Sequence, residues 1–203
     1  RRCCMAPFVS MLSIIPTCGH PPVSAILESD SGYHDRKRAA WLLSMLIPLL
    51  AAAGPALYVA SGEAWTLWLP VLLFYVLLPL ADLAFGEDRS NPPESAMAAL
   101  DADPYYRVIA WLMVPLLWIA FVFAAWFVAR HELPWHGFVA VTIATGVIGG
   151  FCINIGHELG HKRSTFERWL AKLVLAPTGY GHFHVEHNRG HHRDVATADD
   201  PAS

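Results

Sequence analysis

Charge is scarce in this chain of 203 residues. Asp, Glu, Lys and Arg make up 15% of it and hydrophobic residues 55%; an average soluble domain carries roughly 25% charged residues. That balance, with eight Trp and a mean hydropathy of +0.38, points away from a soluble domain and toward a membrane protein. A formal net charge of −3 leaves no basic excess to attract nucleic acid. Cysteine is sparse as well. Cys3, Cys4, Cys18 and Cys152 form no C-x-x-C pair, which argues against a disulfide framework and a thiolate-ligated zinc site. Cys152 falls in an apolar run and reads as a small packing residue. Internal repeats and low-complexity tracts are absent.

Long uncharged runs are plentiful. Four of them, at 39–60, 64–81, 108–129 and 137–156, are 22, 18, 22 and 20 residues long. About 20 apolar residues in helical form cross a hydrocarbon core of about 30 Å, so the expected fold is an all-α, multi-pass transmembrane bundle. Pro48, Pro55, Pro70, Pro79 and Pro115 fall inside these runs. Spans tolerate them where neighbouring helices satisfy the freed carbonyls. With four crossings the N-terminus, the loop 82–107 and everything after 156 share one side. Thirteen of the fourteen Lys and Arg lie there, and only Arg130 lies opposite. The positive-inside rule makes the shared side cytoplasmic.

Residues 1–38 match nothing that follows. Arg1-Arg2 and a modest apolar stretch resemble a signal peptide, but Pro7, Pro16 and the cluster at 19–22 break the run. An irregular cytoplasmic arm is expected, or sequence upstream of a true start at Met5 or later. The segment 86–94 is polar and turn-rich, as expected of a surface loop. Ser164-Thr165-Phe166-Glu167 has the S-x-x-E form of a capping box. Phe166, Trp169, Leu170, Leu173 and Val174 then recur at helical spacing, opposite Arg168 and Lys172. That pattern predicts a helix lying in the membrane interface or packed under the spans.

Seven of the eleven histidines fall between 157 and 192, in a His157-Glu158-Leu159-Gly160-His161 block and a Glu186-His187-Asn188-Arg189-Gly190-His191-His192 block. Imidazole is the commonest side-chain ligand for iron, zinc and copper. If the fourth span continues past Gly156, His157 and His161 project from one face, a turn apart. Gly156 and Gly160 weaken that helix locally, or let another backbone approach closely. His187 and His191 repeat the spacing, and His192 is rotated about 100° from His191 on an α-helix. An adjacent pair can then reach two ions while His187 shares one of them.

Glu158, Glu186 and Asp194 are candidate carboxylates to orient ligating imidazoles. His182 and His184 fit neither spacing and read as hydrogen-bonding partners of the site. His20, His34, His131 and His136 read as surface or interface residues. H-E-x-x-H also marks zinc proteases, with Glu158 as general base, but such an enzyme has no use for the second block. A metal transporter would place ionisable groups within its spans, and these runs have none.

The two blocks resemble the first two histidine boxes of the integral-membrane di-iron family of alkane hydroxylases, fatty-acid desaturases and xylene monooxygenases. Supporting stretches are Leu78–Asp82, Phe85–Asp88, Asn91–Glu94, Tyr105–Arg107, Asn154–Lys162 and Tyr180–Phe183. The last of these runs on through the second box to Thr197 and Asp200–Ala202. Similarity covers about 36–203, and the agreement beyond the boxes favours the bacterial alkane hydroxylases over desaturases. The resemblance implies six membrane helices in a bacterial inner membrane and a nine-histidine centre of two non-haem irons. It implies O2-dependent terminal hydroxylation of n-alkanes drawn from the bilayer. Electrons would come from a rubredoxin, reduced by an NAD(P)H-dependent rubredoxin reductase.

Carried onto this chain, the iron ligands are His157, His161, His187, His191 and His192. The remaining ligands and two helices would lie beyond Ser203. The chain is therefore expected to be the N-terminal part of the enzyme, inactive alone. Phe74, Trp68, Trp111 and Trp118 are candidate walls of a substrate tunnel. Lys162, Arg163, Arg168, Lys172, Arg189 and Arg193 form the expected docking face for an acidic rubredoxin.

Overall fold

The computed structural model describes residues 33–86 and 91–200. The expectations for Cys3, Cys4, Cys18, His20 and most of the N-terminal arm, and for 87–90 of the polar loop, lie outside the described residues. Every regular element described is helical. We label them α1 (Arg38–Ser61), α2 (Ala64–Phe85), α3 (Glu94–Ala102), α4 (Pro104–Arg130), α5 (Trp135–His161), α6 (Thr165–Leu175) and α7 (183–194). Four of them, α1, α2, α4 and α5, are long and apolar enough to cross a membrane. They overlie the four uncharged runs and extend most of them. In particular α5 runs on to His161, so the first histidine block is the end of a span.

The chain punctuates these helices as its residues dictate. Gly62 ends α1 in the left-handed region (φ 75°), where a side chain is strained. The Asp103 carboxylate accepts a hydrogen bond from the Tyr105 N–H at the start of α4 (2.8 Å), and Pro104 occupies the first turn, where its missing N–H costs nothing. A π turn at Leu73–Leu77 interrupts α2 just before Pro79, which lacks a donor and crowds the preceding turn.

Packing concentrates between α4, α5 and α6. Met113, Val114 and Leu117 of α4 meet Ile148, Cys152, Ile155 and Leu159 of α5 and Ala171, Val174 and Leu175 of α6. Cys152 is buried and free, as its setting predicted. A smaller core joins Leu67 to Ala124, Phe127, Ala140 and Val141. The outward faces stay apolar, Phe85 being 90% exposed, as for helices solvated by lipid.

Two close approaches need glycine. A Cβ at Gly54 would sit 3.1 Å from the Leu67 Cα, so α1 and the start of α2 touch backbone to backbone. A Cβ at Gly156 would sit 2.6 Å from Leu175 Cδ1, so α6 is seated directly against the last turns of α5. Replacing Gly156 by alanine should therefore destabilise the fold by about 1–3 kcal/mol, the usual cost of overpacking. Thermal unfolding in detergent checks this. A Gly156→Ala/Leu175→Ala double variant should cost clearly less than the sum of its singles, since both act on one contact.

The helix at α6 begins where expected, but its cap does not form. Ser164 is the N-cap and makes no side-chain capping bond. Glu167, its expected reciprocal partner, is turned inward and only 1% exposed. There it accepts from Arg107 Nε and Nη2 of α4 (3.0 and 2.9 Å) and from Trp111 Nε1 (3.1 Å). A charge-assisted bidentate pair is stronger than a neutral cap contact, and it rotates the helix. Glu167, Ala171, Val174 and Leu175 face the spans, while Phe166, Trp169 and Leu173 face outward. The expected face is thus split: Val174 packs against the spans, while Phe166, Trp169 and Leu173 are exposed, and Lys172, expected opposite them, lies over the Trp169 ring at 4.4 Å.

Candidate metal centre

The first histidine block is fixed by the end of α5. Its two imidazoles project together, with Nε2 of His157 and His161 2.8 Å apart. The second block lies on α7, which returns over this helix end. Asn188, next to His187, donates from Nδ2 to the carbonyl of Gly160, next to His161, at 3.0 Å. That carbonyl belongs to the last turn of α5, where no helical N–H remains to pair it. One side-chain bond thus satisfies an orphan acceptor and sets the two blocks in register.

The second block is not a plain α-helix. Residues His187–His191 form a π turn, in which the His192 N–H reaches back to the carbonyl of His187. One extra residue per turn changes which rings meet. His187 now pairs with His192, five residues on, their Nε2 atoms 3.0 Å apart. Of the adjacent pair His191 and His192, it is His192 that faces His187. His191 swings off to the carboxylate of Asp200, whose two oxygens both lie 3.0 Å from its Nδ1. Single π turns inside helices recur at functional sites.

The result is a compact knot of imidazoles. One ligand nitrogen from each of His157, His161, His187 and His192 lies within 4.8 Å of every other. Ring centroids are 4.4 Å apart for His157–His187, 4.5 Å for His187–His192 and 4.9 Å for His161–His192. Phe183 stacks on His187 at 5.0 Å and an interplanar angle of 19°, fixing that ring from its other side. Burial, reinforced by the four neighbouring imidazoles, pushes the pKa of His187 down to about 4. Its ring is neutral at physiological pH, with a lone pair to give.

This donor set fits a first-row transition metal. Two nitrogens bonded at right angles to one ion at about 2.1 Å stand about 3 Å apart, and the two facing Nε2 pairs match that spacing. Two neutral imidazoles facing Nε2 to Nε2 can share only one hydrogen. Such a face-to-face arrangement of lone pairs suits a cation better than it suits itself. An all-imidazole set is compatible with iron, copper, nickel or zinc.

The other sequence candidates are placed differently. Glu158 pairs with Lys162 at 2.7 Å, and Lys162 also pairs with Asp101. Glu186 accepts from the Tyr180 hydroxyl (3.1 Å) and lies 3.4 Å from His182, both at the surface. Asp194 is engaged by Arg193 at 2.9 and 2.7 Å. Of His184 the structure describes only the backbone, within α7. Asp200 was missed as a site residue, because it follows a turn-rich stretch with no periodic pattern to point it back at His191.

Of the four tunnel candidates, Trp111 holds Glu167 and Trp118 donates from Nε1 to the Leu173 carbonyl (2.8 Å). Phe74 packs on Phe151 at 5.6 Å, and Trp68 flanks the smaller core. Two cavities stand out among the described residues. One lies beside α3 and α4, between Trp41, Met97, Met113 and Glu158, and the other between Ala51, Phe121, Gly149 and Thr178. None of the four candidates lines either cavity.

The described residues thus define a bundle of membrane-length helices, one of which ends in a cluster of imidazoles able to hold a metal ion. The model of the fatty acid desaturase family matches residues 132–203, which hold α5, α6 and both histidine blocks. Alkane 1-monooxygenase 1 of Alcanivorax borkumensis is 49% identical over 176 residues, 86% of this chain and 43% of that protein. The alkane 1-monooxygenase of Pseudomonas putida is 43% identical over 182 residues (89% and 45%). That of Ectopseudomonas oleovorans is 44% identical over 180 residues (88% and 44%). The chain is a homologue of the alkane 1-monooxygenases, and it spans less than half the length of these relatives.

Proposed function

We propose that this chain forms the helical and histidine-bearing part of an enzyme that hydroxylates the terminal methyl of medium- or long-chain n-alkanes. The four-imidazole cluster at the end of α5 and α7 carries the reading, supported by the homology to alkane 1-monooxygenases. The balanced reaction takes R–CH3, O2, two electrons and two protons to R–CH2OH and water. A terminal C–H bond is strong and nonpolar and offers nothing to an acid, a base or a nucleophile. Iron, when bound, supplies the oxygen and electron-transfer chemistry that such a bond requires.

The chain's own residues do the rest. His157 and His161 present paired nitrogens from the end of a span, and His187, His191 and His192 complete the set on this chain. Asn188 and Phe183 hold the second box against the first. The apolar outer faces of α1, α2, α4 and α5 keep the site in contact with lipid, where an alkane dissolves. Phe74, Trp68, Trp111 and Trp118 remain proposed wall residues of the path to it, and ordering the chain end near the metal is what makes the reaction regioselective.

The histidine boxes face the cytoplasm of a bacterial inner membrane, as the Lys and Arg distribution indicates. Two irons, O2 as co-substrate and rubredoxin as electron donor complete the proposal. The basic residues Lys162, Arg163, Arg168, Lys172, Arg189 and Arg193 are its docking face. Membranes carrying the full enzyme, supplied with rubredoxin and NAD(P)H, should convert octane to 1-octanol with label from 18O2, and purified protein should hold iron. Stoichiometric zinc with no alcohol formed would sink the proposal in favour of a hydrolase. Conversion of acyl substrates but not of octane would favour a desaturase.

A further inference from the structure

We propose that Asp200 is a positioning residue for metal binding: its buried carboxylate holds His191 with the proton on Nδ1 and so turns Nε2 outward as a ligand nitrogen. The inference rests on the metal reading above.

The contact is specific. Both carboxylate oxygens of Asp200 lie 3.0 Å from Nδ1 of His191, and the Asp200 side chain is 3% exposed while the His191 side chain is 31% exposed. An ionised carboxylate only accepts hydrogen bonds, so Nδ1 carries the hydrogen. A neutral imidazole has one N–H, which leaves the lone pair on Nε2. Ligating histidines generally donate their other ring nitrogen to a carboxylate or carbonyl, which fixes ring orientation and raises ligand basicity.

Three features of the chain bring these two residues together. The π turn at His187–His191 pairs His187 with His192 and leaves the His191 ring stacked on His187 at 5.4 Å and 25°. Asp194, three residues after His191, is engaged by Arg193. The chain then folds back. Thr197 donates from its N–H to the Asp194 carbonyl at 3.0 Å, and Asp200 N–H to the Thr197 carbonyl at 3.4 Å. Ala196 adopts φ 66°, in the left-handed region. A non-glycine residue is strained there, so the fold-back is held against local preference, and the buried carboxylate on His191 is one contact that holds it.

The test uses the full chain in lipid nanodiscs, with 15N-labelled histidine and Co2+ as the metal probe. In metal-free protein the His191 ring should carry its proton on Nδ1, the resonance being identified by its loss in His191→Ala. Asp200→Ala should let the second tautomer appear and weaken Co2+ binding by about 10–100-fold. Asp200→Asn keeps an accepting oxygen, so it should preserve the tautomer and lose less than about tenfold. Should Asp200→Ala fail to fold by circular dichroism, the Asn variant and the parent tautomer still decide. A parent His191 protonated on Nε2, or an Asp200→Ala chain that folds and binds Co2+ as tightly as the parent, overturns the proposal. A parent chain that takes up no more Co2+ than His157→Ala would instead overturn the metal reading, and the ligand role of His191 with it.

Discussion

Replacing His187 by alanine should abolish stoichiometric binding of Fe2+ or Co2+ to this chain while leaving its helices intact. The ring sits at the centre of the cluster. It is 4.4 Å from His157, 5.1 Å from His161 and 4.5 Å from His192, measured between centroids. Loss of a mere outer partner of a ligand costs about 10–100-fold in affinity, and loss of a ligand costs more than that. His157→Ala should behave alike, because its Nε2 faces that of His161 at 2.8 Å. His182→Ala is the control, since that ring lies at the surface beside Glu186 and its removal should change affinity less than about twofold. Metal analysis after gel filtration, with the ligand-field spectrum of the Co2+ form, reads all three. Equal binding by parent and His187→Ala would remove the cluster from consideration as a metal site.

The second large effect concerns the scaffold under that cluster. Arg107→Met strips Glu167 of its cation, and the Glu167 side chain is 2% exposed. Breaking a fully buried pair by deleting one partner costs about 3–5 kcal/mol. The Arg107 side chain is 36% exposed, and water reaching it weakens the pair, so about 2–3 kcal/mol is expected here. The Trp111 indole remains as a donor but brings no charge. Glu167→Gln in the same background should recover most of the loss, because a neutral amide needs no counter-ion. Thermal or denaturant unfolding in detergent measures both, and Arg107→Met within about 0.5 kcal/mol of the parent would sink the argument. Because α6 links the two histidine blocks, the single variant should also weaken metal binding, and the double variant should restore it.

The membrane-crossing helices were legible because a span must satisfy a length and a polarity at once. No other fold explains four uncharged runs of 18–22 residues so simply. Even the continuation of α5 to His161 was readable, since nothing between 137 and 161 stops a helix. The histidine blocks were legible by composition, and their clustering followed from two blocks flanking one short helix. Rubredoxin, the number of irons and the orientation in the membrane rest on resemblance and on charge counting.

The pairings within the site were decided elsewhere. A spacing of four reads as one face only on an α-helix; the π turn at His187–His191 made five the operative spacing. Glu167 matched a capping box, yet a guanidinium 60 residues away in the chain outcompeted a local N–H for its carboxylate. Asp200 reached His191 through an irregular turn. Such contacts leave no periodic trace, because their partners are set by how helices dock and not by position along any one of them. From the sequence alone come the membrane-length helices and the identity of the histidines that cluster at the end of α5. Tertiary packing alone decided which imidazoles face one another and which carboxylates serve them, since a charge buried at a helix junction takes whichever partner the junction brings within 3 Å.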